Sequence, residues 1–256
     1  MLADEAAAAG VRLIGLDRPG IGDSDPAPGR TLIDWPQDVA QVADRLQIER
    51  FAIEGVSAGG AYALACAHRI ADRLTGCGLI SSICPPEMVR QAAAGWMRAS
   101  WWIAEHHPDL VHAWMRLLLP DSPLDETSAE RRLLRITSWL AKADRDVLRR
   151  LPIRRALVRS MAESRRQGAE TNRREVLALL RPWNLRIEQI ALPGIFMWHG
   201  EQDRLTPVGP ARLLADTLPH CTATFYSDEG HFSTLANHAQ DVFAALCQPI
   251  SWPAAP

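Results

Sequence analysis

Three short stretches carry side chains that together could break an acyl bond. The first is Gly55-Val56-Ser57-Ala58-Gly59-Gly60. Serine there stands between glycines at −2 and +2, the spacing of a sharp turn that pushes a hydroxyl clear of the backbone. Both glycines are expected to be required, because a side chain at either would meet neighbouring backbone. A serine hydroxyl is a weak nucleophile at neutral pH and needs a base. Asp228-Glu229-Gly230-His231-Phe232 offers one in His231, with Gly230 expected to let the imidazole approach closely. The base in turn needs an orienting acid. Asp203, in His199-Gly200-Glu201-Gln202-Asp203, fits that role, and Glu201 is the spare. The G-x-S-x-G pattern alone is weak, since chance supplies it at on the order of 0.05 per chain of this composition. The weight comes from three residues in the order Ser, Asp, His.

Those residues need elements to hold them. Phe51-Ala52-Ile53-Glu54-Gly55-Val56 reads as a strand running into the serine turn, and Ala58 to Ile70 as a helix of small residues running out of it. Leu74 to Ile83 reads as a further strand. Ile195 to Trp198 is a strand before the Asp203 loop, and Ala223 to Tyr226 one before the His231 loop. Val208 to Leu218 and Phe232 to Leu246 complete the pattern as helices. Strands alternating with helices predict a mainly parallel sheet covered on both faces. All three loops would then leave the carboxyl ends of strands along one edge. Nearer the start, residues 2–9 predict a helix ended by Gly10, and Val11 to Leu16 a short strand. Asp17 to Pro26 reads as a turn-rich loop, and Asp34 to Leu46 as a helix. Residues 85–182 read as wholly helical, with breaks at Pro108, Pro120 to Pro123, Pro152 and Gly168.

Composition narrows the function classes. The chain has 256 residues and a net charge of −2, with 47% hydrophobic and 23% charged residues. That balance belongs to a globular domain and lacks the basic excess of a dedicated nucleic-acid binder. No apolar run approaches the roughly 18–20 residues of a membrane span. Met1 to Ala6 lacks the basic-then-apolar order of a secretory signal. The five cysteines, Cys66, Cys77, Cys84, Cys221 and Cys247, include no C-x-x-C pair. They read as small buried residues in a reducing cytosol, with neither disulfides nor zinc expected. His106-His107 and His112 read as a helix end and surface instead of a metal site. Lys142 is the only lysine, which reads as a codon bias of a GC-rich genome. Charge is uneven: residues 85–192 hold 19 basic and 13 acidic residues, a net of +6, and the rest nets −8. The middle therefore reads as a separately evolved insertion. Its ten arginines between Arg145 and Arg174 are expected mainly on solvated helix faces.

With these residues in hand, the chain resembles the α/β-hydrolase superfamily, and within it the capped serine hydrolases of bacteria. Asp17-Arg18-Pro19-Gly20-Ile21-Gly22-Asp23-Ser24 resembles that family's loop after its fourth strand. Ser57 matches the nucleophile elbow, Asp203 the acid after the seventh strand and His231 the base after the eighth. Some relatives place the acid after the sixth strand, but Ser81-Ser82-Ile83-Cys84 offers no carboxylate there. The resemblance implies a discontinuous core at 1–84 and 193–248, a helical cap at 85–192 and a flexible tail at 249–256. It implies acyl transfer through an acyl-enzyme, with the Ala58 N–H as an oxyanion donor, a small-molecule substrate and no cofactor or metal.

The resemblance also exposes a gap. The family's second oxyanion donor comes from a His-Gly-rich loop after strand three, and strand three lies between the strands read here at 11–16 and 51–56. Neither is found in this sequence, and the family's first strands are missing with them, three strands in all. The deficit is on the order of 30–40 residues. Two expectations follow: Met1 is an internal methionine of a longer protein, or the short chain is genuine and either pairs the strand at 11–16 with a wrong neighbour or leaves a gap in its sheet.

Six of the nine tryptophans fall in the insertion: Trp96, Trp101, Trp102, Trp114, Trp139 and Trp183. Trp96, Trp101 and Trp102 are the expected walls of a partly apolar pocket above Ser57, and Phe232 is expected to touch substrate. Two other functions stay open. A prolyl-type aminopeptidase shares the cap and the Arg-Pro-Gly loop, but would need acids to hold a substrate amine where this insertion is net positive. A non-catalytic hydrolase-like receptor would fit the missing oxyanion loop.

Overall fold

The computed structural model describes residues 2–92, 95–118 and 124–249. Four strands form one parallel sheet in the order β1 (Phe51–Val56), β2 (Leu74–Ile80), β3 (Ile195–Gly200) and β4 (Cys221–Tyr226). Val56 pairs with Ile80, Ile80 with Trp198, and Gly200 with Tyr226. The carboxyl ends therefore lie along one edge. The strand expected to reach Ile83 stops at Ile80, because Ser81 turns at φ 44°.

Two apolar layers sandwich the sheet. On one face lie α2 (Trp35–Arg45), α3 (Gly59–Arg69) and α11 (Val208–Thr217), and on the other α1 (Ala3–Ala8) and α12 (His231–Leu246). Ala61, Ala63, Leu64, Ala65, Cys66 and Ala67 of α3 are all buried, so small side chains let this helix lie close to β1 and β2.

Between β2 and β3 the chain forms an all-helical cap: α4 (Pro86–Ala92), α5 (Gly95–His106), α6 (Pro108–Leu118), α7 (Glu126–Thr137), α8 (Lys142–Leu148), α9 (Leu151–Glu163) and α10 (Glu170–Leu180). Pro108 opens α6 and Pro152 sits in the first turn of α9, where a missing N–H costs no helical bond. Residues 120–123 lie outside the described residues. Leu133, Leu140, Leu148 and Val158 give the cap its own core, against which Phe232 packs. Two of the arginines expected mainly on solvated faces lie elsewhere. Arg165 and Arg173 are buried, and Arg173 pairs with Glu170 at 2.8 Å.

The expected strand at 11–16 does not form. Val11 to Leu16 runs without pairing, with Leu13 45% and Ile14 39% exposed. β-forming residues make a strand only beside a partner with matching free edge groups. Between this segment and the outer edge of β1 lies a cavity of about 680 Å³, lined by Val11, Leu13, Leu16, Phe51, Ile53 and Leu246 among others.

Among the described residues no helix is long and apolar enough to cross a membrane. The cysteines are all free: Cys66, Cys77 and Cys84 are buried, and burial raises their thiols.

Candidate active site

Ser57 sits one residue beyond β1 with φ 55°, a left-handed conformation that a non-glycine residue adopts at a cost of about 1–3 kcal/mol. Its neighbours hold it there. Its N–H donates to the Ile80 carbonyl at 2.9 Å, and its carbonyl accepts from the N–H groups of Ile83 and Gly60, both at 3.1 Å. Ala58 follows as the residue that heads α3. The glycine requirement differs from expectation. A Cβ at Gly55 would lie 2.2 Å from the Gly59 carbonyl oxygen, so that glycine is required. A Cβ at Gly59 would meet nothing within 4 Å, whereas one at Gly60 would lie 1.8 Å from Ser82 Oγ. The second obligatory glycine is therefore at +3, because α3 passes against the end of β2 and not against its own turn.

Asp203 and His231 are brought together as expected. The His231 Nδ1–H donates to Asp203 Oδ2 at 2.8 Å, and both side chains are almost wholly buried. The Thr206 hydroxyl donates to the same Oδ2 at 2.6 Å and lies 3.1 Å from the Ser81 carbonyl oxygen. The N–H groups of Leu205 and Thr206 donate to Asp203 Oδ1, each at 2.8 Å. Burial opposes ionisation of Asp203, but the bonds from His231 and Thr206 outweigh it and hold the carboxyl below its ordinary value. With Nδ1 carrying the proton, Nε2 of His231 is left as an acceptor, which is the form a general base needs. Buried His199 donates from Nε2 to the Thr206 carbonyl at 2.7 Å and braces the same loop. Burial, the largest influence, pushes its imidazole down and keeps it neutral.

The turn at 80–83 lies between the two halves of the site. It bonds Ser57 on one side and Thr206 on the other. Among the described residues no hydrogen bond joins the Ser57 hydroxyl to His231.

Other expected site residues are placed differently. Glu201 pairs with Arg212 at the surface. Trp102 is 49% exposed and stacks on His106 one turn along α5, at odds with an enclosed pocket wall. Trp96 and Trp101 lie on α5, but their side chains fall outside the described residues. Trp183 is buried and donates to the Leu179 carbonyl, so it is core, while Trp114 and Trp139 are exposed. Phe232 meets the His231 ring edge-on at 5.2 Å and packs into the cap core. Among the described residues no group of three His, Cys, Asp or Glu could hold a metal.

Two residues escaped the sequence reading. Thr206 is one. The other is Asp144 on α8, fully buried, whose carboxylate accepts the N–H groups of His231, Phe232 and Ser233 at 3.0, 2.8 and 2.9 Å. Gly230 makes room for it: a Cβ there would lie 2.3 Å from Asp144 Oδ2. The glycine before His231 thus admits a cap carboxylate, where approach of the imidazole was the expectation. One signal was available. Asp144 falls with Val147 and Leu148 on the buried stripe of α8, an unusual place for a charge.

A family model described as alpha/beta hydrolase fold matches residues 2–237. A search of curated proteins returns no match. Among solved structures, an alpha/beta fold family hydrolase from Bacillus anthracis str. Sterne is 18% identical, with 90% of this chain and 80% of that chain covered and a TM-score of 0.63. A thermophilic esterase from Thermogutta terrifontis is 20% identical over 89% and 76%, with a TM-score of 0.54. A meta-cleavage product hydrolase from Pseudomonas fluorescens IP01 is 17% identical over 95% and 82%, with a TM-score of 0.60.

Proposed function

Because the chain belongs to the alpha/beta hydrolase fold family, we propose that it is a serine hydrolase of ester-like substrates, with Ser57 as nucleophile, His231 as base and Asp203 as the acid that orients it. The observation that carries this reading is the buried Asp203–His231 bond, braced by Thr206, on the sheet edge where Ser57 is held in a strained turn. In the reaction Ser57 Oγ attacks the carbonyl carbon as its proton passes to His231 Nε2. The Ala58 N–H stabilises the oxyanion, and His231 returns the proton to the leaving group. Water, deprotonated by His231, then releases the acid from the acyl-enzyme. Residues 1–84 and 193–248 act as the core and 85–192 as the cap over a small, partly apolar substrate, with Phe232 against the base. The structural neighbours named for ester and meta-cleavage product hydrolysis fit this chemistry in kind.

A fluorophosphonate probe tests the reading. Wild type is expected to label at Ser57 and to hydrolyse short aryl esters. Ser57→Ala is expected to lose labelling and at least about 10⁴-fold in kcat. Folded wild type that neither labels nor turns over any aryl ester overturns it.

A further inference from the structure

Helix α12 begins at the proposed base itself, and its N-cap residue is Gly230, which has no side chain to accept the free N–H groups of the first turn. That acceptor comes from elsewhere. Asp144, 87 residues earlier in the chain and on the cap, bonds three successive N–H groups there, including that of His231. A fully buried carboxylate is tolerated only with such partners, and the positive end of the α12 dipole favours its charge.

We propose that Asp144 is a positioning residue through which the cap fixes the catalytic imidazole relative to Ser57. The proposal rests on the serine hydrolase reading for its kinetic consequence, but its geometric content stands apart from it. His231 has two anchors: Asp203 holds Nδ1 and Asp144 holds the backbone N–H. Together they set where Nε2 lies. With one anchor gone the ring can swing about the other, and a displacement near 1 Å can cost about 10²-fold. The groups facing His231 are Asp203 and Thr206 from the β3 loop, His199 behind them, Phe232 beside it and Asp144 from α8. Asp144 is the group that reaches it from the cap.

The test compares Asp144→Asn and Asp144→Ala with Leu148→Ala, which loosens the same helix without touching the carboxylate. Melting temperature, kcat and KM for an aryl ester, and exchange of the His231, Phe232 and Ser233 amides by NMR are measured for each. Asp144→Ala is expected to lower kcat by about 10–100-fold with little change in KM. Asp144→Asn, which keeps an acceptor oxygen, should recover part of that loss. Leu148→Ala, with a similar fall in melting temperature, should keep its kcat within about threefold. Loss of the acceptor should also speed exchange of the His231, Phe232 and Ser233 amides at least about 10-fold in Asp144→Ala, and Leu148→Ala should leave them slow. The proposal is overturned if kcat follows melting temperature alike in Asp144→Ala and Leu148→Ala. Unchanged exchange of those three amides in Asp144→Ala overturns it even if wild type proves inactive. Inactivity, with no fluorophosphonate labelling, instead counts against the hydrolase reading alone.

Discussion

The two margins of β1 behave differently. Towards β2, all six residues of β1 find partners, and the chain beyond it is bonded to the turn at 80–83, whose Ser81 carbonyl accepts from Thr206 of the Asp203 loop. Towards segment 11–16 there is a cavity of about 680 Å³ and no pairing among the described residues. A strand's backbone groups point alternately to its two sides. Ser57 bonds to Ile80, so Ile53 and Gly55 face β2 while Ala52, Glu54 and Val56 face the open margin. The site is assembled wholly on the closed margin. Geometry for chemistry and stability of the sheet are thus separable here, and perturbations at each margin should have different readouts.

The largest effect is expected on the closed margin. Asp203→Asn should lower kcat by about 10³–10⁴-fold, because an amide presents a donor to His231 Nδ1 and favours the wrong tautomer. It should also change stability against pH. The Asp203 carboxyl is depressed in the folded state, so it adds stability above the unfolded carboxyl range, and that addition is lost as pH falls through its lower folded value. Melting curves of wild type and Asp203→Asn should therefore converge towards acid pH and separate above about pH 4. A constant difference between them down to acid pH would remove Asp203 from the buried network.

The same division governs what the sequence made legible. All four strands that form were readable, because each is a short β-rich run bounded by turn formers. Val11 to Leu16 carries the same local signal and fails, since pairing is a property of the neighbour as much as of the strand. Ser57, Asp203 and His231 were readable because each lies where a strand ends and a loop begins. Thr206 and Asp144 act through partners that only the fold supplies, 25 and 87 residues away. Asp144 and Asp146 look alike in sequence, yet one is buried against α12 and the other pairs with Lys142 and Arg149 at the surface. Two residues along a helix turn the side chain by about 200°, which decides between those fates.

Backbone dynamics should show the contrast at intermediate size. The amides of Ala52 and Glu54 should exchange with solvent at least about 100-fold faster than those of Ile53 and Gly55, although all four share one strand. Exchange measured by NMR at neutral pH reads this directly. Equal protection of alternate residues would mean that the outer margin of β1 is paired in solution, and the division between margins would fall.

The smallest effect concerns Glu54, on the open margin. Burial raises its carboxyl above the ordinary value, and Oε2 has no hydrogen-bond partner. Burial disfavours its charge at neutral pH, and among the described residues no cation offsets that burial. An acid whose folded value is raised binds its proton more tightly when folded. Stability therefore falls as pH rises through the carboxyl range and stays reduced above it. Glu54→Gln removes the charge and keeps the shape, so it should stabilise the protein at pH 7 by about 1 kcal/mol, or about 2–4 °C in melting temperature. The gain should vanish near pH 4, where Glu54 itself is protonated, and kcat should hold because no residue of the proposed site touches it. A loss of stability at pH 7 would show that the Glu54 carboxylate finds a partner across the open margin, and that this margin is not the unsatisfied side of β1.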